Sequence, residues 1–315
     1  SMVLDLKDPK DLEHLKLLVA DADILVENFK PGTAERIGVG YDAMHALNPR
    51  LVYCSISGFG QTGPYAKRGG FDLISQGMTG LAAVCGEEDG PPHRLPIPVT
   101  DLCGGMNGAL GVLTAIAARE HTGKGQHVDT SLYEAGLALG VYEAAFHFAT
   151  DAVPPRPGQR HRGSAPYQIF KTKDGYVTVG GAAQKFWSIT CEVLGCPELI
   201  DDARFAAKAD RVKNNLELVD ILETYFAKET TDHWFQALDA RGVPAGPVQN
   251  HKEALSDPQA LARDMVVKVD HPTAGETKTL GVHIKLSDTP GAIRRPAPRH
   301  GEHTEEIIAE LTNRK

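Results

Sequence analysis

Residues Leu51–Pro64 read LVYCSISGFGQTGP, and this stretch decides the fold. The first half, LVYCSIS (Leu51–Ser57), is a short apolar run of strand length. The second half is a glycine- and proline-broken loop that ends it. Upstream, Ile24–Val26 is another strand, closed by ENFKPG, and Val3–Leu6 is a third apolar segment of strand type. Between them, Leu12, Leu15, Leu18 and Val19 recur at helical spacing, and Tyr41–Leu47 suggests a second helix. Strands that alternate with helices call for a mainly parallel, Rossmann-like sheet with helices on its faces. Ligands collect at the carboxyl ends of such strands, so ENFKPG and SGFGQTGP are the first loops to search.

Further along, Asp101–Arg119 reads as a small-residue helix and GKGQHVD as a turn and strand. Ser131 and Glu134 have capping-box spacing and predict a helix to about Phe148. The Pro/Gly/Arg-rich segment 151–166, DAVPPRPGQRHRGSAP, is the clearest boundary. After it YQIFKTKDGYVTVGG predicts a hairpin turning at Lys173–Gly175, followed by helices near 184–194, 216–227 and 231–241. A second hairpin is expected at HPTAGETK and a last helix near 302–312. The expected organisation is a large α/β domain over 1–163, a smaller α+β domain over 164–249, and a segment over 250–315 that returns to the large domain.

The 315 residues carry a formal charge of −8, which argues against non-specific nucleic-acid binding because that needs a basic footprint. The longest apolar-and-glycine run, Gly108–Ala118, covers 11 residues, against about 20 for a membrane span. It predicts a buried helix and no membrane partner. The five cysteines are scattered without CxxC spacing, which suits reduced thiols in the cytoplasm; the mitochondrial matrix stays open because the native N-terminus is expected to be missing. The 13 histidines form no metal-ligand pattern, so no metal is expected. The leading Ser-Met resembles an expression scar, and VLDLKDP then opens directly on strand-like sequence.

In RLPIPVTDLCGGMNGAL (Arg94–Leu110), one carboxylate, Asp101, stands between a Pro-rich run and a glycine-rich one. Its plainer reading is a helix N-cap, worth about 1 kcal/mol. The functional reading is an ionised Asp held at a helix start, with Gly104 and Gly105 leaving room for a bulky electrophile. One group can serve as both. Asn28, Lys30 and the Gly32 turn could meet a phosphorylated ligand, or could simply form a strand-end loop. GFGQTGP does not match GxGxxG, so the dinucleotide fingerprint is absent. GQRHRGS is either an anion patch or a solvated linker, and Cys103 reads as a structural thiol.

The segments ADILVENFKPG, NPRLVYCSISGFGQTGPY, GGFDLISQGMTGL, VTDLCGGMNGALGVLTAIAARE, TGKGQHVDTSLYEA, PYQIFKTKDGY and GEHTEEI occur in this order from Val3 to about Ile308. Together they resemble the family III CoA-transferases, the CaiB/BaiF family. GSAPYQIFKTKDGY is most similar to the members that move CoA between dicarboxylates, such as succinyl-CoA and glutarate. The resemblance implies that Asp101 is the nucleophile and that Asn28, Phe29, Lys30, Arg36, Arg68 and Phe71 lie along the CoA site. It implies an interlocked homodimer, acyl-CoA and a small organic acid as substrates, and no tightly bound cofactor.

The implied chemistry explains why a carboxylate is needed. An enzyme Asp can take up the acyl group as a mixed anhydride and then CoA as a thioester, which splits one difficult exchange into easier steps. The α-methylacyl-CoA racemases of the same family are the alternative. They use a His/Asp pair on opposite sides of an α-carbon; their His falls where this chain has Phe71, and a Glu that supports their site falls near Ala183. A third possibility is a catalytically inactive fragment of the family. Members carry about 70 residues ahead of the VLDLKDP position, including the first strand–helix units, so the resemblance implies that this segment is missing here. Arg94, Arg160 and Arg162 are candidates to hold a second substrate carboxylate.

Overall fold

The structure, a computed structural model, describes residues 1–313. It is mixed α/β, with one parallel and two antiparallel sheets among the described residues. Two compact units divide the chain: Ser1–Gly158 together with the chain from Pro298, and Gln159–Ala297. The sequence placed the divisions at 163/164 and 249/250. In the structure, residues 250–297 group with the second unit, and the return to the first comes at the Pro-containing stretch RRPAPR (Arg294–Arg299).

In the first unit, helix α1 (Pro9–Asp21) starts where Asp8 accepts the Lys10 N–H, with Pro9 in the first turn, where a missing N–H costs nothing. Strand β1 (Ile24–Glu27), helices α2 (Thr33–Arg36) and α3 (Tyr41–Leu47), and strand β2 (Val52–Ser57) follow. Next come α4 (Asp72–Met78), α5 (Val99–Thr122), β3 (His127–Ser131), α6 (Leu132–Leu139) and α7 (Val141–Thr150). The three strands pair in parallel in the order β1-β2-β3, as strand–helix alternation requires.

The two-residue period of β2 builds both cores. Leu51 and Tyr53 pack with Val19, Val39 and Met44 on one face, while Val52 and Cys54 pack with Val112 and Ala115 of α5 on the other. Glycines set the distance between α5 and the sheet. A Cβ on Gly108 would lie 2.9 Å from Ile56 Cδ1, and one on Gly111 would lie 2.6 Å from Val128 Cγ1. By length and composition α5 could cross a membrane, but in the fold it lays Gly104, Gly108, Val112 and Ala115 inward. It is not the wholly buried helix the apolar run suggested. Leu102, Met106, Leu110 and Leu113 are exposed, because α5 lies over β2 and the edge strand β3 and is covered on one side only.

Two sequence expectations change here. Val3–Leu6 joins no sheet; instead Val3 N–H donates to Thr304 Oγ1 and His303 N–H to Ser1 O, tying both chain ends together. The helix expected to run from Ser131 to Phe148 breaks at Gly140 into α6 and α7, since glycine is a weak helix-interior residue.

The second unit has its own sheet, in the order β4 (Arg160–His161), β5 (Ser164–Lys171), β6 (Tyr176–Val179) and β7 (Ala245–Pro247). Helices α8 (Gln184–Leu194), α9 (Lys208–Lys213), α10 (Asn215–Phe226) and α11 (Thr231–Asp239) build its core around Trp187, Phe205, Leu218, Leu222 and Leu238. Phe170 of β5 stacks on Phe226 of α10 with centroids 4.5 Å apart. The expected turn at Lys173–Gly175 closes through Thr172 N–H to Gly175 O at 2.9 Å. Short helices α12 (His251–Ala254) and α13 (Pro258–Ala262) and the hairpin β8 (Val266–His271)–β9 (Gly275–Leu280) complete this unit, and α14 (Thr304–Asn313) belongs to the first.

Candidate active site

Helix α5 runs back along the sheet, so Gly104 lies beside Ile56 and Leu132 at the carboxyl ends of β2 and β3, and Gly111 beside Val128 further down. Asp101, one turn before Gly104, therefore stands beyond the carboxyl ends of the strands, where open α/β sheets collect ligands. It does not cap the helix. Pro98 holds the N-cap position without a side-chain bond, and Asp101 is the third residue of the first turn.

Capping comes from a different helix. Asp72, the first residue of α4, accepts both the Thr100 N–H and the Thr100 hydroxyl at 2.9 Å. Its other oxygen takes the Gln76 Nε2–H at 2.7 Å, and Gln76, fully buried, also donates to Leu95 O and accepts Leu95 N–H. The approach to α5 and its first turn are thus both clamped from α4. The Asp101 carboxylate accepts no hydrogen bond from any described residue and is exposed. Partial desolvation at the start of the helix, and then the neighbouring Asp72 charge, push its carboxyl above the usual aspartate range. Sequence reading missed Asp72 and Gln76. Their i,i+4 spacing in FDLISQ was the available signal, but their partners lie 19 to 28 residues away along the chain. Gly104 and Gly105 also differ from each other. Gly104 is buried against Leu132, whereas Gly105 faces open space, so only Gly105 leaves room for a ligand.

Replacing Asp72 with Ala should therefore cost about 1–2 kcal/mol in chemical denaturation, as the loss of an N-cap does. Asn, which keeps an acceptor oxygen for Thr100 but loses the one for the Gln76 Nε2–H, should recover part of it. Equal stabilities for the alanine variant and the parent would contradict this capping role.

The other expected contacts surround these strand ends in two groups. Asn28 Nδ2 donates to Ile56 O at 2.5 Å, fastening the loop after β1 to the end of β2. Phe29 N–H donates to Glu27 Oε2, and the Phe29, Lys30 and Arg36 side chains are exposed. A groove of about 550 Å³ in the same unit is lined by Pro31, Gly32, Glu35, Tyr41, Gln61 and Lys67, among others, but not by Asn28, Phe29, Lys30 or Arg36. Arg68 lies over the rings of Tyr65 and Phe59, at 4.7 and 5.4 Å from their centroids, within the loop after β2. That loop closes where Gly58 and Gly70 touch backbone to backbone, and a Cβ on Gly58 would sit 2.5 Å from Gly70 Cα. The closure places Phe71, 76% exposed, and Asp72 at the head of α4. Arg94 is exposed and its Nη1 turns onto the carbonyls of Leu95 and Pro96. All five cysteines are free thiols, and no cluster of three or more metal-ligating side chains occurs among the described residues.

A parallel α/β unit with a carboxylate presented at a helix start beyond its strand ends suits covalent group transfer. The profile of CoA-transferase family III matches residues 1–304, and this chain belongs to that family. It is 36% identical over 311 residues to the succinyl-CoA:glutarate CoA-transferase of Mus musculus, covering 99% of this chain and 71% of that one. It is 38% identical over 304 residues to the acetyl-CoA:oxalate CoA-transferase of Acetobacter aceti, covering 96% and 77%. A CaiB/BaiF family protein from Brucella suis superposes with a TM-score of 0.89 at 34% identity, covering 99% of this chain and 81% of that one.

Proposed function

We propose that this CoA-transferase moves CoA from an acyl-CoA to a carboxylic or dicarboxylic acid by covalent turnover on Asp101. The observation that carries the reading is that Asp72 caps α5, which leaves the Asp101 carboxylate unbonded, exposed and beside the open Gly105. Among relatives, those named for succinyl-CoA with glutarate, D-citramalate or mesaconate support a dicarboxylate pair, with succinyl-CoA as donor.

In the proposed cycle the Asp101 carboxylate attacks the thioester carbonyl, forming an acyl–aspartyl anhydride and releasing CoA thiolate. The thiolate attacks the aspartyl carbonyl, giving an aspartyl-CoA thioester and the donor acid. The acceptor carboxylate then displaces the thiolate to form a second anhydride. The thiolate finally attacks the acceptor's acyl carbon, which forms the new acyl-CoA and restores Asp101. Every step is acyl transfer, so no redox partner or metal enters the balance. Asn28, Phe29, Lys30, Arg36, Arg68 and Phe71 are assigned to CoA, in a cytoplasmic homodimer.

Incubation with acyl-CoA, hydroxylamine trapping and peptide mass mapping should find modification at Asp101. Modification elsewhere, or none, would sink the mechanism. The pH dependence carries a sign. The nucleophile is the ionised form and its pKa is raised, so labelling should fall with decreasing pH at a higher pH than an ordinary Asp would give. Replacing Asp72 with Asn removes the second cause of that rise and should move the acid limb downward. An unmoved limb would contradict the coupling of these two carboxylates.

A further inference from the structure

The stretch PPHRLPIP (Pro91–Pro98) leads directly into α5, and its prolines at 91, 92, 96 and 98 have no backbone N–H. Such a segment has few donors with which to fix itself in place. Two of those it keeps are used: His93 N–H goes to Cys85 O at 3.0 Å, and Leu95 N–H goes to Gln76 Oε1 at 2.8 Å. Gln76 Nε2 returns a bond to Leu95 O at 3.2 Å, so the side-chain amide pairs with Leu95 as a neighbouring strand would. The same nitrogen donates to Asp72 Oδ2 at 2.7 Å.

That bond turns the other Asp72 oxygen toward Thr100, whose N–H and hydroxyl it accepts. Thr100 is the residue before Asp101. Gln76 and Thr100 are both fully buried, and the bonds form a continuous path from Leu95 through Gln76 and Asp72 to Thr100, all within the first unit. Helix α4, which carries Gln76 and Asp72, is itself fixed at both ends. Its head follows the Gly58–Gly70 backbone contact, and at its tail a Cβ on Gly136 of α6 would lie 2.6 Å from Thr79 Oγ1. A shift of the first turn of α5 against α4 would break this satisfied buried network and leave its groups unpaired. The Asp101 carboxylate accepts no bond of its own from a described residue, so its place is set through the backbone at Thr100.

The geometry points to Gln76 as a positioning residue for the Asp101 nucleophile. By orienting Asp72 and holding Leu95, it sets where the first turn of α5 presents the carboxylate to an acyl-CoA; this rests on the transferase reading above. The residue type fits the task. A glutamine amide donates twice and accepts at once, whereas an ionised Glu of the same shape would only accept and would face a second carboxylate in Asp72.

The test follows the rate of Asp101 labelling in the full chain at neutral pH, with succinyl-CoA as probe, hydroxylamine trapping and peptide mass mapping. Circular dichroism at the assay temperature reports folding. Gln76→Leu should lower the limiting labelling rate about tenfold to a hundredfold, the scale of misplacing a reacting group by up to about 1 Å, with the half-saturating succinyl-CoA concentration changed less than about twofold. Gln76→Glu keeps the acceptor for Leu95 N–H and should fall in the same direction, which covers the case of a leucine variant that does not fold. In an Asp72→Ala background, Gln76→Leu should slow labelling less than about threefold further, because the two residues act along one path. Limiting rates within about twofold of the parent in the folded Gln76 variants overturn the positioning role. So does a loss seen only where the variant melts, or a full effect of Gln76→Leu in the Asp72→Ala background. No label in the parent overturns the nucleophile and its positioning together, whereas a labelled parent with unaffected Gln76 variants overturns the positioning alone.

Discussion

Asp101→Asn is expected to lower CoA transfer by on the order of 10⁴-fold or more, because an amide cannot form the anhydride and a lost nucleophile is not replaced by neighbouring groups. The chain should stay folded, since Asp101 makes no hydrogen bond to a described residue and does not cap α5. The stability change has a definite sign. The folded-state pKa of Asp101 lies above its unfolded value, so the fold binds the protonated form better. Stability therefore falls as pH rises through that raised pKa, and at neutral pH the ionised carboxylate opposes folding. Removing the charge should slightly raise the melting temperature while abolishing turnover. A variant that loses activity because it melts earlier would refute this account, as would one that transfers CoA at the parental rate.

The second large effect is structural. Arg211 is fully buried and donates to the carbonyls of Ala165, Ala182, Phe205 and Ala206 and to Gln184 Oε1, at 2.9–3.1 Å. Its guanidinium also lies over Trp187, 5.1 Å from the centroid. Burial depresses its pKa, and no hydrogen-bonded carboxylate offsets that cost, so backbone oxygens carry the compensation. Arg211→Met leaves those carbonyls without their donor and should cost about 3–5 kcal/mol in the unfolding of the second unit. Arg211→Lys should recover little, because one ammonium cannot reproduce a fork that reaches five acceptors. A loss below about 1 kcal/mol would show that the carbonyls find other donors.

Much of the fold was legible because its signals are local. β2, α3, α8 and both hairpins fall where alternation, helical spacing and turn residues put them. Segment Val3–Leu6 has strand composition, but a strand needs a neighbour, and here the segment bonds the C-terminal helix instead. Arg160–His161 lies in what reads as a linker, yet it pairs with β5, because pairing is decided by the partner strand.

The amino-acid sequence by itself determined the family, the parallel α/β order of the first unit and the position of the one carboxylate that stands out, Asp101, since these depend on residue types and their spacing. Only the tertiary structure decided that Asp101 neither caps α5 nor accepts a hydrogen bond from a described residue. The α5 cap is supplied by Asp72, 28 residues away from Thr100 along the chain, and no local pattern reports a bond made across that separation. Packing likewise buried Gly104 and left Gly105 open, so two identical neighbours in the sequence became a packing contact and a vacant space.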